Sequence, residues 1–288
     1  MGWNVFAEGF GLPEAPRWRD GALWISDMWG HSVWRFDETG ERTLVHRFAD
    51  DDPGGLGWHP SGDLLVVGME GRVVYRLADG AEPMIHADLR GHTDWPVNDM
   101  IVRDDGTAWV SGFGYDMWHG AAATTTSLFC VAPDGAVRAV ADGLLSPNGM
   151  ALDPDERTLT LAESGGGRLI RFSVEDDGSL SDRRVLAEPE PAEGCRLAPP
   201  DGICVDAEGA VWMADPLGGR VLRVDASGAT TDVLDVGVPV AFACVLGGDD
   251  RRTLFACVGV ERSKPNWSGV GANSIITTRV AVPGAGKP

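Results

Sequence analysis

An alternating apolar segment recurs six times along this chain: GALWISD (21–27), GDLLVVG (62–68), GTAWVSG (106–112), RTLTLAE (157–163), GAVWMAD (209–215) and RTLFACV (252–258). Aligned on Trp24, Leu65, Trp109, Thr160, Trp212 and Phe255, the copies are spaced by 41, 44, 51, 52 and 43 residues. Most are followed by a second apolar run that ends in an acidic or glycine turn, such as SVWRFDETG, RVVYRLADG or RVLRVDASG. Two-residue alternation of Val, Ile, Trp and Thr between Gly, Asp and Pro clusters is the signature of strands. A strand-rich period of roughly 40–50 residues is that of a β-propeller. Leucine-rich and ankyrin repeats are shorter, and helical repeats would show a 3.6-residue period, which is absent. Six four-stranded blades of about 46 residues each would use nearly all 288 residues. The expectation is an all-β, six-bladed propeller forming one domain over 1–288.

A ring of blades must close, because an open one leaves sheet edges unpaired. The run Trp3 to Ala7 is expected to pair beside the last strands, around Ser274 to Val282, joining the first blade to the last. The tail PGAGKP (283–288) has no strand pattern and is expected to be a frayed end.

A net charge of −19 opposes nucleic-acid binding, which needs a basic footprint. Acidic runs such as Asp50-Asp51-Asp52 and Glu175-Asp176-Asp177 read as solvated turns that favour cations near the protein. No stretch approaches the roughly 18–20 apolar residues of a membrane span, and no signal peptide opens the chain. The expected location is therefore cytoplasmic, without a membrane partner, and the sequon Asn266-Trp267-Ser268 carries no weight. The five cysteines lack metal-site spacing, and their odd number argues against a disulfide framework.

One phase of the repeat is chemically distinctive. Four residues ahead of the strand positions Trp18, Trp58, Val102, Leu152, Val205 and Leu246 stand Glu14, Gly54, Asn98, Asn148, Asp201 and Phe242. If the repeats are blades around an axis, equivalent positions form a ring, and four of its six members carry oxygen donors. Two carboxylates and two amides suit a hard divalent ion, while Gly54 and Phe242 leave coordination positions to water and substrate. Each residue also has an ordinary reading: Glu14 can pair with Arg17, and Asn148 and Asp201 sit in Pro-Asn-Gly and Pro-Asp-Gly turns. Four oxygen donors in one phase are hard to explain by turns alone. No G-x-S-x-G or H-E-x-x-H pattern competes; Ser111 and Ser164 read as polar strand ends.

The segments LPEAPRW, PVND, LSPNGMALDPD and PPDGICVDAEGAVWMAD, in this order, resemble the SMP-30/gluconolactonase/LRE family of six-bladed propellers, most of them metal-dependent lactone hydrolases. The resemblance covers essentially the whole chain. It implies Glu14, Asn148 and Asp201 as ligands of one divalent cation (calcium first, with magnesium, manganese or zinc as alternatives). It further implies Asp201 as general base and Asn98 as a substrate contact or additional ligand. The implied partner is a small lactone or ester; oligomeric state stays open.

Substrate choice is expected from loops on the same face. The stretch 113–127, FGYDMWHGAAATTTS, reads as a partial lid. Asp116 falls where relatives hold an acidic substrate contact, Trp118 and His119 are candidates to pack on a ring-shaped ligand, and Trp29 is a candidate wall. Cys195 and Arg196 are expected near the mouth. Sugar-lactonase relatives often carry an Arg two residues before the Asn98 position, where this chain has Pro96; Trp95 beside it hints at a more apolar pocket, so a sugar lactone such as gluconolactone and a more hydrophobic lactone both stay open as substrates. Beside lactone hydrolysis stand two other readings: the same ion with phosphotriester hydrolysis or a strictosidine-synthase-like condensation, and a non-catalytic ligand-binding propeller.

Overall fold

The computed structural model describes residues 2–116, 119–260 and 271–288. Among them stand six four-stranded antiparallel sheets. Their innermost strands are Pro13–Arg19, Pro53–Trp58, Val97–Val102, Pro147–Leu152, Ile203–Val205 and Val240–Gly247. Five sheets are built from consecutive strands. The sixth takes its outermost strand, Asn4–Phe10, from the other end of the chain, paired to Asn273–Arg279. The expected closure is therefore the observed one. Phe10 is fully buried, Phe6 packs edge-on to Phe255 at 5.2 Å, and Trp18 of blade 1 stacks on Phe255 of blade 6 at 5.6 Å. Closure thus buries aromatic surface as well as pairing a sheet edge.

Burial follows blade depth. Every residue of Val97–Val102 and Val240–Gly247 is buried, because both faces of an inner strand meet neighbouring blades. Outer strands such as Arg42–Arg47 are mostly open to water, which is why their sequence is polar.

The inner strands are irregular where the fold needs it. Pairing with the second strand shifts register between Glu14 and Arg17, Pro53 and Leu56, Val97 and Met100, Pro147 and Met150, and Ala241 and Ala243. Such bulges re-aim side chains. In blade 5 the regular strand begins only at Ile203, after Asp201. Glycines follow the bulge for steric reasons. A Cβ on Gly55 would lie 2.1 Å from the Met100 nitrogen, on Gly149 2.6 Å from the Asp201 oxygen, and on Gly202 2.3 Å from the Ala243 Cβ. Each lets the next inner strand pass close by.

Two expectations are corrected. The tail 283–288 is not frayed. Its Gly284 bridges to Asp206 and Lys287 to Leu152, Gly284 N donates to Arg251 O at 2.7 Å, and Ala285 N donates to Val205 O at 3.1 Å. It crosses the far ends of the inner strands of blades 6, 5 and 4, held by their open backbone groups, which no side-chain pattern announces. Trp29, a candidate wall, is fully buried in the main core. No helix among the described residues is long and apolar enough to cross a membrane.

Candidate functional site

The starts of four inner strands, bulged in blades 1, 3 and 4, bring the oxygen-bearing residues together. Asn98 Nδ2 donates to Asn148 Oδ1 at 2.9 Å, across fifty residues of sequence. The Asn148 side chain in turn hydrogen-bonds Asp201, and the Glu14 charge acts on Asp201. Glu14, Asn148 and Asp201 are half-buried; Asn98 and its neighbour Asp99 are buried. Phe242, the apolar member of the phase, is buried, and its carbonyl accepts from Gly202 N at 2.9 Å.

Electrostatically the cluster is strained. Burial, then repulsion from Asp99, pushes the Glu14 carboxyl up to about 8, against the pull of the Ala15 N–H and Arg17. Asp201 is raised well above the ordinary aspartate range by burial and then by the charges of Glu14 and Asp99, with the Asn148 hydrogen bond drawing it down. Ala15 adopts the left-handed region (φ 47°), and its N–H donates to Glu14 Oε2 at 3.0 Å. A non-glycine residue seldom takes this conformation, and here it orients a candidate ligand.

Two residues not singled out for function complete the floor of the site. Arg17 Nη2 donates to Asp99 Oδ1 and to Met100 O, both at 2.7 Å, its Nε to Leu56 O at 3.0 Å and its Nη1 to Pro16 O at 3.1 Å. This guanidinium joins blades 1, 2 and 3 below the cluster. The sequence offers a partial signal: Arg17 follows Glu14 by three residues, and Asp99 adjoins Asn98. Their mutual pairing across 82 residues leaves no local trace.

Other acidic strand ends serve turns. Asp27 Oδ1 accepts from the N–H groups of Gly11 and Leu12, both at 2.9 Å. Asp215 Oδ1 accepts from Leu217 and Gly218, and its Oδ2 pairs with Arg220 at 2.8 Å. Glu163 accepts from Leu145 N and pairs with Arg168. Ser111 and Ser164 are likewise spent on Asp99 and Pro200 backbone.

The loop residues stand apart from the cluster. His119 Nδ1 lies 2.9 Å from Asp116, and its side chain is 83% exposed. Neither residue hydrogen-bonds Asn98, Asn148 or Asp201 among the described residues. The start of the loop is nevertheless anchored near them, since Ser146 Oγ donates to Tyr115 Oη at 3.3 Å, two residues before Asn148. Trp118 lies outside the described residues. Trp95 is 39% exposed, and Cys195 Sγ contacts Leu217 O at 3.5 Å, in the loop leading to Asp201.

A divalent ion fits these donors. Among the described residues no three His, Cys, Asp or Glu side chains form a metal cage; the set is two carboxylates with two amides, all-oxygen and hard. Two half-buried carboxylates raised by desolvation and by neighbouring negative charge are what a divalent charge would relieve.

Residues 12–258 match the SMP-30/Gluconolactonase/LRE-like region. The chain is 25% identical over 291 residues to a 6-deoxy-6-sulfogluconolactonase of Pseudomonas putida, covering 96% of this chain and 94% of that protein. It is 26% identical over 273 residues to regucalcin of Xenopus laevis, covering 91% and 88%. A solved calcium-binding protein, regucalcin from Agrobacterium tumefaciens, superposes with a TM-score of 0.82 at 19% identity, over all of this chain and 97% of that one.

Proposed function

We propose that this chain, which belongs to the SMP-30/gluconolactonase/LRE-like family, opens a lactone ring by hydrolysis at the mouth where Glu14, Asn98, Asn148 and Asp201 meet. The observation that carries this reading is the hydrogen-bonded series Asn98–Asn148–Asp201 with Glu14 electrostatically joined to it. The lactonase name of a relative matching 96% of the chain supports the substrate class.

Glu14, Asn148 and Asp201 would hold one divalent cation, calcium by preference. When bound, such an ion supplies Lewis acidity, polarising an ester carbonyl and lowering the pKa of water. The remaining work belongs to the chain. Asp201 is the general base: its carboxylate accepts a proton from the attacking water and returns it to the ring oxygen that leaves as an alcohol. The water oxygen bonds to the carbonyl carbon, the carbon–ring-oxygen bond breaks, and the product is a hydroxy acid. Asn148 holds Asp201 by its amide. Asn98, buried with its Nδ2 already engaged, orients the substrate with its remaining acceptor. Asp116 and His119 lie on the rim and act on substrate choice; Trp118 is assigned to the same loop from sequence alone. With Pro96 where a guanidinium would bind polyols and Trp95 exposed beside it, the pocket suits a less hydroxylated lactone than gluconolactone.

The test is a panel of sugar and aliphatic lactones, with phosphotriesters and amine–aldehyde pairs as counter-substrates, assayed with and without chelator. Lactone opening sensitive to chelator is expected, and Asp201→Ala should lower it by about two to four orders of magnitude. Turnover indifferent to both the chelator and the substitution would refute the mechanism. Activity confined to phosphotriesters or to amine–aldehyde pairs would leave the ion and replace the reaction.

A further inference from the structure

The opposite mouth of the channel holds a chamber of about 440 Å³, within the size range of small-molecule sites. Its walls are the far ends of the inner strands of blades 1 to 3, including Trp18, Leu56, Trp58 and Val102, and the tail residues 286–288 roof it. In a protein of net charge −19, its lining among the described residues includes Arg17, Arg19, Arg103, Arg251 and Lys287 against one acid, Asp104. Most of these cations are balanced. Arg17 pairs with Asp99, Arg103 with Asp105, Arg19 with Asp20, and Lys287 with Asp104 at 2.6 Å and Glu156 at 2.5 Å. Arg251 is not: its Nε and Nη2 are buried with no hydrogen-bond partner among the described residues. Two buried guanidinium N–H groups without an acceptor are costly, even on a side chain that is only half-buried, so their retention calls for an explanation.

The backbone at Arg251 adds a second, independent sign that this side chain is placed for a reason. In the first hairpin turn of blades 2 to 6, the residue whose N–H closes the turn lies in the left-handed region. It is glycine in three of them (Gly62, Gly106, Gly209), whereas Glu156 (φ 56°) and Arg251 (φ 56°) take that conformation with a side chain. A side chain there is disfavoured. Both exceptions meet the tail: Glu156 accepts from Lys287 Nζ, and Arg251 O accepts from Gly284 N. The tail in turn is fitted to Arg251, since a Cβ on Gly284 would lie 3.2 Å from both Nε and Nη2 and 2.6 Å from the Leu246 Cβ.

We propose that the chamber beneath the C-terminal tail is a second ligand site, taking a monoanionic aromatic acid whose carboxylate pairs with Arg251 and whose ring lies against the Trp18 and Trp58 side chains that line it. One uncompensated cation commits the ligand to one negative charge. Two tryptophans and the aliphatic walls commit the rest to a flat apolar body. The Arg19 guanidinium carbon already lies 4.7 Å from the Trp58 ring centroid, so a cation–aromatic contact is native to this wall. Arg17, paired with Asp99 between the two mouths, separates this site from the catalytic one.

Calorimetric titration of the intact protein with 1-naphthoate tests it. Binding with a Kd below about 1 mM is expected, weakened at least ~tenfold in Arg251→Gly. That substitution installs the residue found at the equivalent turns of blades 2, 3 and 5, so the fold should accept it. Trp58→Leu should weaken binding as well, leaving the Arg251 backbone untouched. Asp201→Asn, at the other mouth, should leave binding unchanged, and Arg251→Gly should leave lactone opening unchanged. No binding to the folded parent protein up to about 10 mM would overturn the proposal. So would binding indifferent to Arg251→Gly and Trp58→Leu, or binding lost in Asp201→Asn.

Discussion

The two mouths of the central channel are made by opposite ends of the same inner strands, about 13 Å apart at four residues of rise, yet they are chemical opposites. At the starts, Glu14, Asn98, Asn148 and Asp201 gather oxygen. At the ends stand Trp18, Trp58, Val102, Leu152, Val205 and Leu246, with arginines in the turns beyond and a tail laid across them. The difference comes from backbone geometry. Bulges break the pairing at the starts, so side chains that would alternate between blade faces turn towards the axis instead. The ends keep regular pairing, and their bulky residues fill the gaps between blades. A propeller can therefore vary its chemistry at one end while the other end supplies packing.

The comparison is broken most directly at its divider. Arg17→Met leaves Asp99 buried without its cation, in a region already crowded with Glu14 and Asp201. Destabilisation of about 3–5 kcal/mol is expected by denaturant unfolding. A loss below about 1 kcal/mol would mean that the two mouths are not held apart by this pair. A smaller effect follows from Gly55→Ala, whose Cβ would meet the Met100 nitrogen at 2.1 Å. Forcing blades 2 and 3 apart should cost about 1–3 kcal/mol and depress lactone opening through Asn98, whereas Gly62→Ala, in the first hairpin turn at the far mouth, should spare the activity.

The acidic mouth also has a pH signature. The Glu14 carboxyl rises from 4.5 to about 8 on folding, and Asp201 moves the same way. In the absence of divalent cations the folded state therefore holds protons that the unfolded chain has released. The contribution is fully present below about pH 4.5 and is lost as pH rises through about 8. Melting temperature in chelator should fall across that window, Glu14→Gln should flatten the fall, and added calcium should reverse it. Parallel slopes in Glu14→Gln and the parent would remove Glu14 from the account. The weakest expected effect is at the far mouth: Lys287→Ala, which deletes partly exposed ion pairs to Asp104 and Glu156, should cost less than about 1 kcal/mol and leave turnover intact.

Legibility differed between the mouths for the same reason. Glu14, Asn98, Asn148 and Asp201 could be found in the sequence because the repeat places them in one phase. Residues outside the phase were opaque. Arg17 and Asp99 meet through space, Trp29 looks like any loop-end aromatic until its burial is seen, and the tail has no periodicity by which to recognise a seat. Asp27, Glu163 and Asp215 resemble candidate ligands at strand ends, and only their accepted N–H groups show that turns consume them.

The sequence by itself determined the number of blades, the pairing that closes the ring and which residues share a radius from the axis, because period and alternation are local properties written every 40–50 residues. Tertiary structure alone decided how near those residues come, which cation neutralises Asp99, and that the last residues roof a second chamber. Those outcomes depend on close packing between segments far apart in the chain, where a single Cβ or an unpaired guanidinium changes the result and leaves no pattern along the sequence.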